Sequence, residues 1–242
     1  MKETRTIQSI ILKRVDHGES NIKVSVLSKH YGRMDLIARG AKRLNSKMAG
    51  HLEPITLSAI MIIRGRGADY IGNAVGEKYY PGIKNDLTKS YYAGSAIGVL
   101  GRHIKSEPTE EENSYFILLD NFLNVLDGLD GNRDEAELFY YLFLLKFMSL
   151  YGITPSLYSC IVCQNDITPG DNYFSCHQGG LVCKKCVHTH AKERQPISDD
   201  CIKILRLSLC RNLAASSTLS VDRLMKKELQ TIIDSFYKYN LG

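Results

Sequence analysis

Polar and apolar residues follow two different rhythms along this chain. In the first third, Ile22, Val24 and Val26 alternate with Lys23 and Ser25, the period of a strand with one buried face. Residues 6–13 are rich in β-branched and apolar side chains, and Gly32 marks a turn before a short run at 34–38. Residues 55–63 are apolar without a helical period and stop at Gly65-Arg66-Gly67, and residues 70–75 follow as another strand. About five short strands with glycine turns in about eighty residues predict a small barrel or sandwich. A five-stranded OB-type barrel fits that length and count, and so does an SH3-like barrel.

From Pro81 the rhythm becomes helical. Residues 86–103 carry apolar and small side chains at helical spacing, and Thr109-Glu110-Glu111-Glu112 reads as a capping box. The helix it opens carries Phe116, Leu119, Phe122, Leu123 and Leu126, and Gly128 and Gly131 bound the loop after it. Residues 135–150 are so densely apolar that they predict the centre of a bundle. Two further helices are expected at 196–209 and 221–239, the second with Leu224, Leu229, Ile232, Ile233 and Phe236 on one side. Neither has a partner of its own, so both are expected to return to the 81–150 bundle. The predicted fold is therefore α+β and multidomain: a barrel at 1–80, a helical domain at 81–152 with 195–242, and an inserted module at 153–194.

Composition adds a charge asymmetry. Residues 1–80 hold fourteen Lys/Arg against seven Asp/Glu, whereas the remainder holds seventeen against nineteen. A basic N-terminal part points to a polyanion partner; the plainer alternative is a solvated basic face. Arg39, Lys42, Arg43, Lys47, Arg64 and Arg66 concentrate in one stretch, several of them in the glycine-bounded segment Gly40 to Gly50. A flexible basic loop on a small barrel can follow a phosphate backbone and release its counterions. These six are the candidate phosphate contacts, with Lys13, Arg14 and Arg33 as weaker ones. Tyr31 and Tyr70 are the plausible base-stacking residues, while Tyr79 and Tyr80 stand near the domain boundary. So few aromatics favour backbone contact over base reading. No apolar run approaches the eighteen or so residues a bilayer span needs, and the polar start argues against a secretory signal. Seven cysteines without such a signal fit a reducing compartment, so a cytoplasmic location is expected.

The candidate chemistry lies in Cys160-Ile-Val-Cys163 and, nineteen residues later, Cys183-Lys-Lys-Cys186. Two Cys-x-x-Cys turns facing each other supply four sulfur ligands to a tetrahedral zinc ion. Two disulfides or four buried thiols are the alternatives. Gly179-Gly180 stands where such a ribbon must reverse direction. Cys176, His177, His188 and His190 lie close enough to compete as ligands. Four thiolates leave no open position for a catalytic water, which predicts a structural metal. A zinc-dependent nuclease would need a base from Asp166, Asp171 or His177; a ribbon adaptor that binds no DNA is a third reading. Gly65-x-Gly67-x-x-x-x-Gly72 is not a dinucleotide fingerprint, and no Gly-x-x-x-x-Gly-Lys-Ser/Thr motif occurs.

In this order the parts resemble the RecO family of bacterial recombination mediators over nearly the full length. The resemblance rests on Gly18-Glu19, Ser25-Val26-Leu27-Ser28, Tyr31-Gly32, Ala38-Arg39-Gly40-Ala41-Lys42-Arg43 and Gly65-Arg66-Gly67. Its most specific part is Gly152-x-x-Pro155-x-Leu157-x-x-Cys160-x-x-Cys163, with Phe174, Gly179-Gly180 and Cys183-x-x-Cys186 after it. It departs from the family at Gln164, where zinc-bearing members often have glycine. The resemblance implies an N-terminal OB fold that binds single- and double-stranded DNA, a central helical domain and a zinc module. It implies as partners RecR, the acidic C-terminal tail of single-stranded-DNA-binding protein and, indirectly, RecA. The implied activity is strand annealing and recombinase loading in the nucleoid, without covalent chemistry. Some members lack the cysteines, which implies that zinc is dispensable to the shared activity.

Overall fold

The computed structural model of the protein describes residues 4–105, 112–130, 133–188, 194–213 and 221–242. The chain divides into two compact units, Met1–Gly131 and Asn132–Gly242.

In the first unit, the alternating segments form β1 (Thr4–His17), β2 (Asn21–Ser28), β3 (Gly32–Ala38), β4 (Leu57–Ile63) and β5 (Asp69–Lys78). They pair in the order β1-β2-β3-β5-β4, and β4 pairs back onto β1 to close a barrel. Only the β3–β5 ladder is parallel. Strand β1 serves two neighbours, pairing with β4 over its first half and with β2 over its second. An irregularity in register between Ile11 and Lys13 marks the changeover, as expected where a bulge bends a strand around a barrel. The interior is filled from every strand by Ile7, Ile11, Ile22, Val24, Val26, Leu36, Ile60, Ile62 and Ile71.

Segment 40–50, expected to be a flexible loop, is pinned to the barrel. Ala41 and Leu52 are buried in the same core, and Lys42 N–H donates to the Ser20 carbonyl at 3.0 Å. Its charged side chains therefore project from a fixed backbone.

Helices α1 (Pro81–Lys84), α2 (Leu87–His103) and α3 (Glu112–Gly128) belong to this unit and contact one another. Asp86 caps α2 by accepting from the Thr88 and Lys89 amides. Contacts of α2 with β1, and of α3 with β2 and β3, explain why the outward-facing pair Ile10 and Leu27 is also buried. Arg33 Nη1 donates to the carbonyls of Gly101 and Ile104 at the end of α2. Thr109, Glu110 and Glu111 of the expected capping box lie outside the described residues, and α3 starts at Glu112.

The second unit holds α4 (Arg133–Leu150), a sheet of β6 (Asn172–Ser175), β7 (Gly180–Val182) and β8 (Arg194–Ile197), then α5 (Asp199–Cys210) and α6 (Arg223–Leu241). Helices α4, α5 and α6 contact one another. The helices expected to share one bundle, 81–152 with 195–242, are thus divided between the units. Amphipathic spacing says that a helix buries a face, but it does not name the neighbour. Pro196 also departs from expectation. It does not open a helix; it lies in β8, opposite Tyr173 on the edge of the sheet order β7-β6-β8, where a missing amide donor is tolerated. The helix begins at Asp199 behind the N-cap Ser198, whose hydroxyl accepts from the Cys201 amide at 3.2 Å. Among the described residues no helix is long and apolar enough to cross a membrane.

Candidate nucleic-acid interface and metal centre

Strand register explains how the basic residues come together. Arg5 stands opposite Ile62, Ile63 opposite Tyr70, and Tyr70 opposite Ile37, so the head of β1, the end of β4, the head of β5 and the end of β3 share one rim. Arg39, exposed just after β3, lies flat over the Tyr70 ring, its guanidinium carbon 3.9 Å from the centroid. Arg64 and Arg66 are exposed just past β4. Gly65 between them has no room for a side chain, since a Cβ would lie 2.0 Å from the Ala68 carbonyl oxygen. Arg43 and Lys47 are exposed on the pinned segment, where the Arg43 side chain lies over Gly40 in its left-handed backbone. Lys42 is tied to Asp16, Nζ to Oδ2 at 2.7 Å.

Two of the weaker candidates are engaged elsewhere. Arg14 pairs with Glu53, and Arg33 is spent on the carbonyls of α2. Lys13 is exposed. One rim residue was missed by counting charges from Lys29 onward. Arg5 lies 3.9 Å over the Tyr31 ring and lines a small cleft with Ile62, Arg64 and Asp69. Its signal was parity: two positions before the core residue Ile7, it faces the barrel mouth.

In the second unit the four predicted cysteines converge, with all their sulfurs within 4.8 Å of one another. The first turn is held by the Gln164 amide donating to the Cys160 carbonyl at 2.9 Å, and the second by the Cys186 amide donating to the Cys183 carbonyl at 3.0 Å. Ile161 and Leu181 tie the two together through a 2.9 Å backbone bond. Gly179 has φ +72, and a Cβ on Gly180 would meet the Ser156 carbonyl oxygen at 2.7 Å. That glycine pair is required for both reasons, reversal and close approach.

None of the seven cysteines is joined in a disulfide. The 3.9 Å between the Cys163 and Cys183 sulfurs is far from a disulfide bond but close to the edge of a ZnS₄ tetrahedron, about 3.8 Å for a 2.3 Å metal–sulfur bond. The electrostatics ask for a cation. Burial opposes ionisation of Cys160, but the amides of Cys183, Cys163 and Val162 outweigh it and bring the thiol down to about 6. Desolvation and hydrogen bonding among the neighbouring thiols push Cys186 up to about 12. Four thiols so placed ionise together only around a metal. Arg194 Nη1 donates to the carbonyls of Cys186 and Val187 at 3.0 and 2.6 Å, while its Nε and Nη2 are buried without a hydrogen-bond partner. A buried cation beside the second turn fits the net negative charge of four thiolates on a divalent ion. The residues present therefore suit zinc.

The rival ligands stay outside. Among the described residues the ligand cluster contains only the four paired cysteines. The His177 ring packs on Tyr239 with centroids 5.1 Å apart, His188 is exposed, and His190 lies outside the described residues. Asp166 and Asp171 line a polar groove beside Cys163 and Cys183, where Asp171 is paired with Lys184 and its carboxyl is held below the usual range by that ammonium.

A closed basic barrel with its helices, followed by helices built around a four-thiol module, matches two family models in sequence. Recombination protein O N terminal covers residues 1–79, and Recombination protein O C terminal covers residues 84–242. The chain belongs to the RecO family. It is 30% identical to the DNA repair protein RecO of Pelotomaculum thermopropionicum, over 96% of this chain and 88% of that one. It is 27% identical to that of Shouchella clausii, over 97% and 88%, and 26% identical to that of Bacillus subtilis, over 97% and 89%.

Proposed function

We propose that the protein is a DNA repair and recombination mediator that binds single- and double-stranded DNA on the rim of its barrel. In this reading it anneals complementary strands and helps load recombinase onto strands coated by single-stranded-DNA-binding protein. The observation that supports it most is the rim where strand register brings together the ends of β3 and β4, beside which Arg39, Arg64 and Arg66 stand exposed, with Arg43 and Lys47 exposed on the segment after Arg39, in a family of DNA repair proteins. The strand order and the parallel β3–β5 closure support an OB-type barrel. A cationic rim lowers the repulsion between two phosphate backbones and gains free energy from counterion release, so annealing needs no nucleotide hydrolysis. Lys42 contributes less than its neighbours because Asp16 already neutralises it.

The family relationship also supports the partners: RecR, the acidic tail of single-stranded-DNA-binding protein and, through them, RecA, in the bacterial cytoplasm at the nucleoid. Cys160, Cys163, Cys183 and Cys186 hold a structural Zn²⁺ that fixes the two turns. With four protein ligands it has no position for water, and labelled DNA should show no turnover under saturating zinc.

A salt titration tests the central claim. Single-strand affinity should fall steeply as salt rises, and neutralising Lys42, Arg43 and Lys47 to Gln should flatten the log–log slope by about 1.5 to 2. An unchanged slope in that variant would remove the segment from the interface.

A further inference from the structure

We propose that the rim carries two stacking platforms for unpaired bases, Arg5 on Tyr31 and Arg39 on Tyr70, which make it prefer single strands to duplex. This rests on the DNA-binding reading above and specifies what that surface recognises.

Sequence composition argued for phosphate contact alone, because aromatics are scarce. The structure changes the weight of that scarcity: each of the two plausible stacking tyrosines has an arginine laid across it, in both cases 3.9 Å from guanidinium carbon to ring centroid. A guanidinium is planar and delocalised, so its outer face extends the stack and accepts a base as an aromatic ring does. Tyr31 and Arg39 are exposed while Arg5 and Tyr70 are half-buried, so each platform keeps one member open to solvent.

Their spacing sets the ligand. Arg5 faces Ile62 on β4, and the adjacent Ile63 faces Tyr70 on β5, so the platforms stand two strands apart. At about 4.8 Å per strand that is about 10 Å. Bases in a stacked strand rise about 3.4 Å per nucleotide, so two neighbouring bases reach both platforms only when the strand is splayed between them. A duplex keeps its bases inside and presents only phosphates. The cleft between the platforms is lined by Arg5, Ile62, Arg64 and Asp69. Arg64 and Arg66, exposed just past β4, offer the phosphates a cationic track beside the platforms.

The test compares three probes at matched salt: an oligothymidylate, an abasic strand of equal length, and a duplex. The wild-type protein should bind the thymidylate about tenfold more tightly than the abasic strand with the same salt slope, as expected for one to two stacked bases. In Tyr31→Leu/Tyr70→Leu that advantage should vanish while duplex affinity stays within about twofold. Arg39→Lys, which keeps the charge but not the plane, should lose part of it. The abasic comparison needs no variant and stands even if the double substitution unfolds. Equal, salt-dependent binding of thymidylate and abasic strands by the wild type would overturn the platforms and leave the DNA-binding reading intact. Failure of all three probes to bind in a salt-dependent way would overturn both.

Discussion

Tyr80 joins β5 to α1 with a left-handed backbone, φ 48, and is only 3% exposed. Its hydroxyl donates to Asp120 Oδ1 at 3.0 Å, and burial together with the Asp120 charge holds the phenol far above its ordinary value of 10.0. Tyr80→Phe should cost about 1–2 kcal/mol in urea denaturation, because Asp120 loses a buried donor. The folded-state value lies above the unfolded one, so the contribution of Tyr80 is whole below pH 10 and is lost as pH rises past it. The decline in stability above pH 10 should therefore be shallower in the variant. Gln164, behind the first cysteine turn, holds a left-handed backbone at φ +62. Gln164→Gly should stabilise the zinc-loaded protein by about 0.5–1 kcal/mol, read as a higher melting temperature, since only glycine takes that conformation without steric cost.

Among the elements, the cysteine sheet depends most on one tie. Arg194 begins β8 opposite Ser175 and reaches the carbonyls of Cys186 and Val187, linking the edge strand to the second ligand turn. Arg194→Gln should speed zinc loss to a chelator several-fold while leaving the helical circular-dichroism signal in place. An unchanged release rate would show that the turn holds without it. Because zinc binding must strip the proton from Cys186, with its thiol pushed up to about 12, apparent zinc affinity should rise with pH. A fixed chelator concentration should remove more metal at pH 6 than at pH 8.

For the whole molecule, the two units set what can be separated. The first family model ends at residue 79, yet α1 to α3 lie in the same compact unit as the barrel. Arg33 bonds the end of α2, Lys84 Nζ donates to Thr56 Oγ1 at 3.0 Å, and Lys78 Nζ donates to Asn124 at 3.1 Å. A 1–131 fragment should unfold cooperatively in urea, whereas 1–80 should be less stable by several kcal/mol or aggregate, because Ile10 and Leu27 lose their cover. Equal stability of the two fragments would restore a boundary at residue 80.

Alternation placed the five strands, and Cys-x-x-Cys spacing named the four cysteines that converge, because each is a local rule in which neighbours in sequence settle the geometry. The excess of cations before residue 80 was equally legible. What the sequence left open depends on contacts between residues far apart. Charge counting could not tell Arg33, bound to α2, or Arg14, paired with Glu53, from the exposed Arg39. Nor could it bring Arg5 to a rim built by strands about sixty residues later, or assign α4 to α5 and α6. The residues by themselves determined the strands, the four-cysteine cluster and the sign of the charge. Tertiary structure alone decided which charges remain exposed and which tyrosines they cover, since barrel closure, a non-local event, sets both.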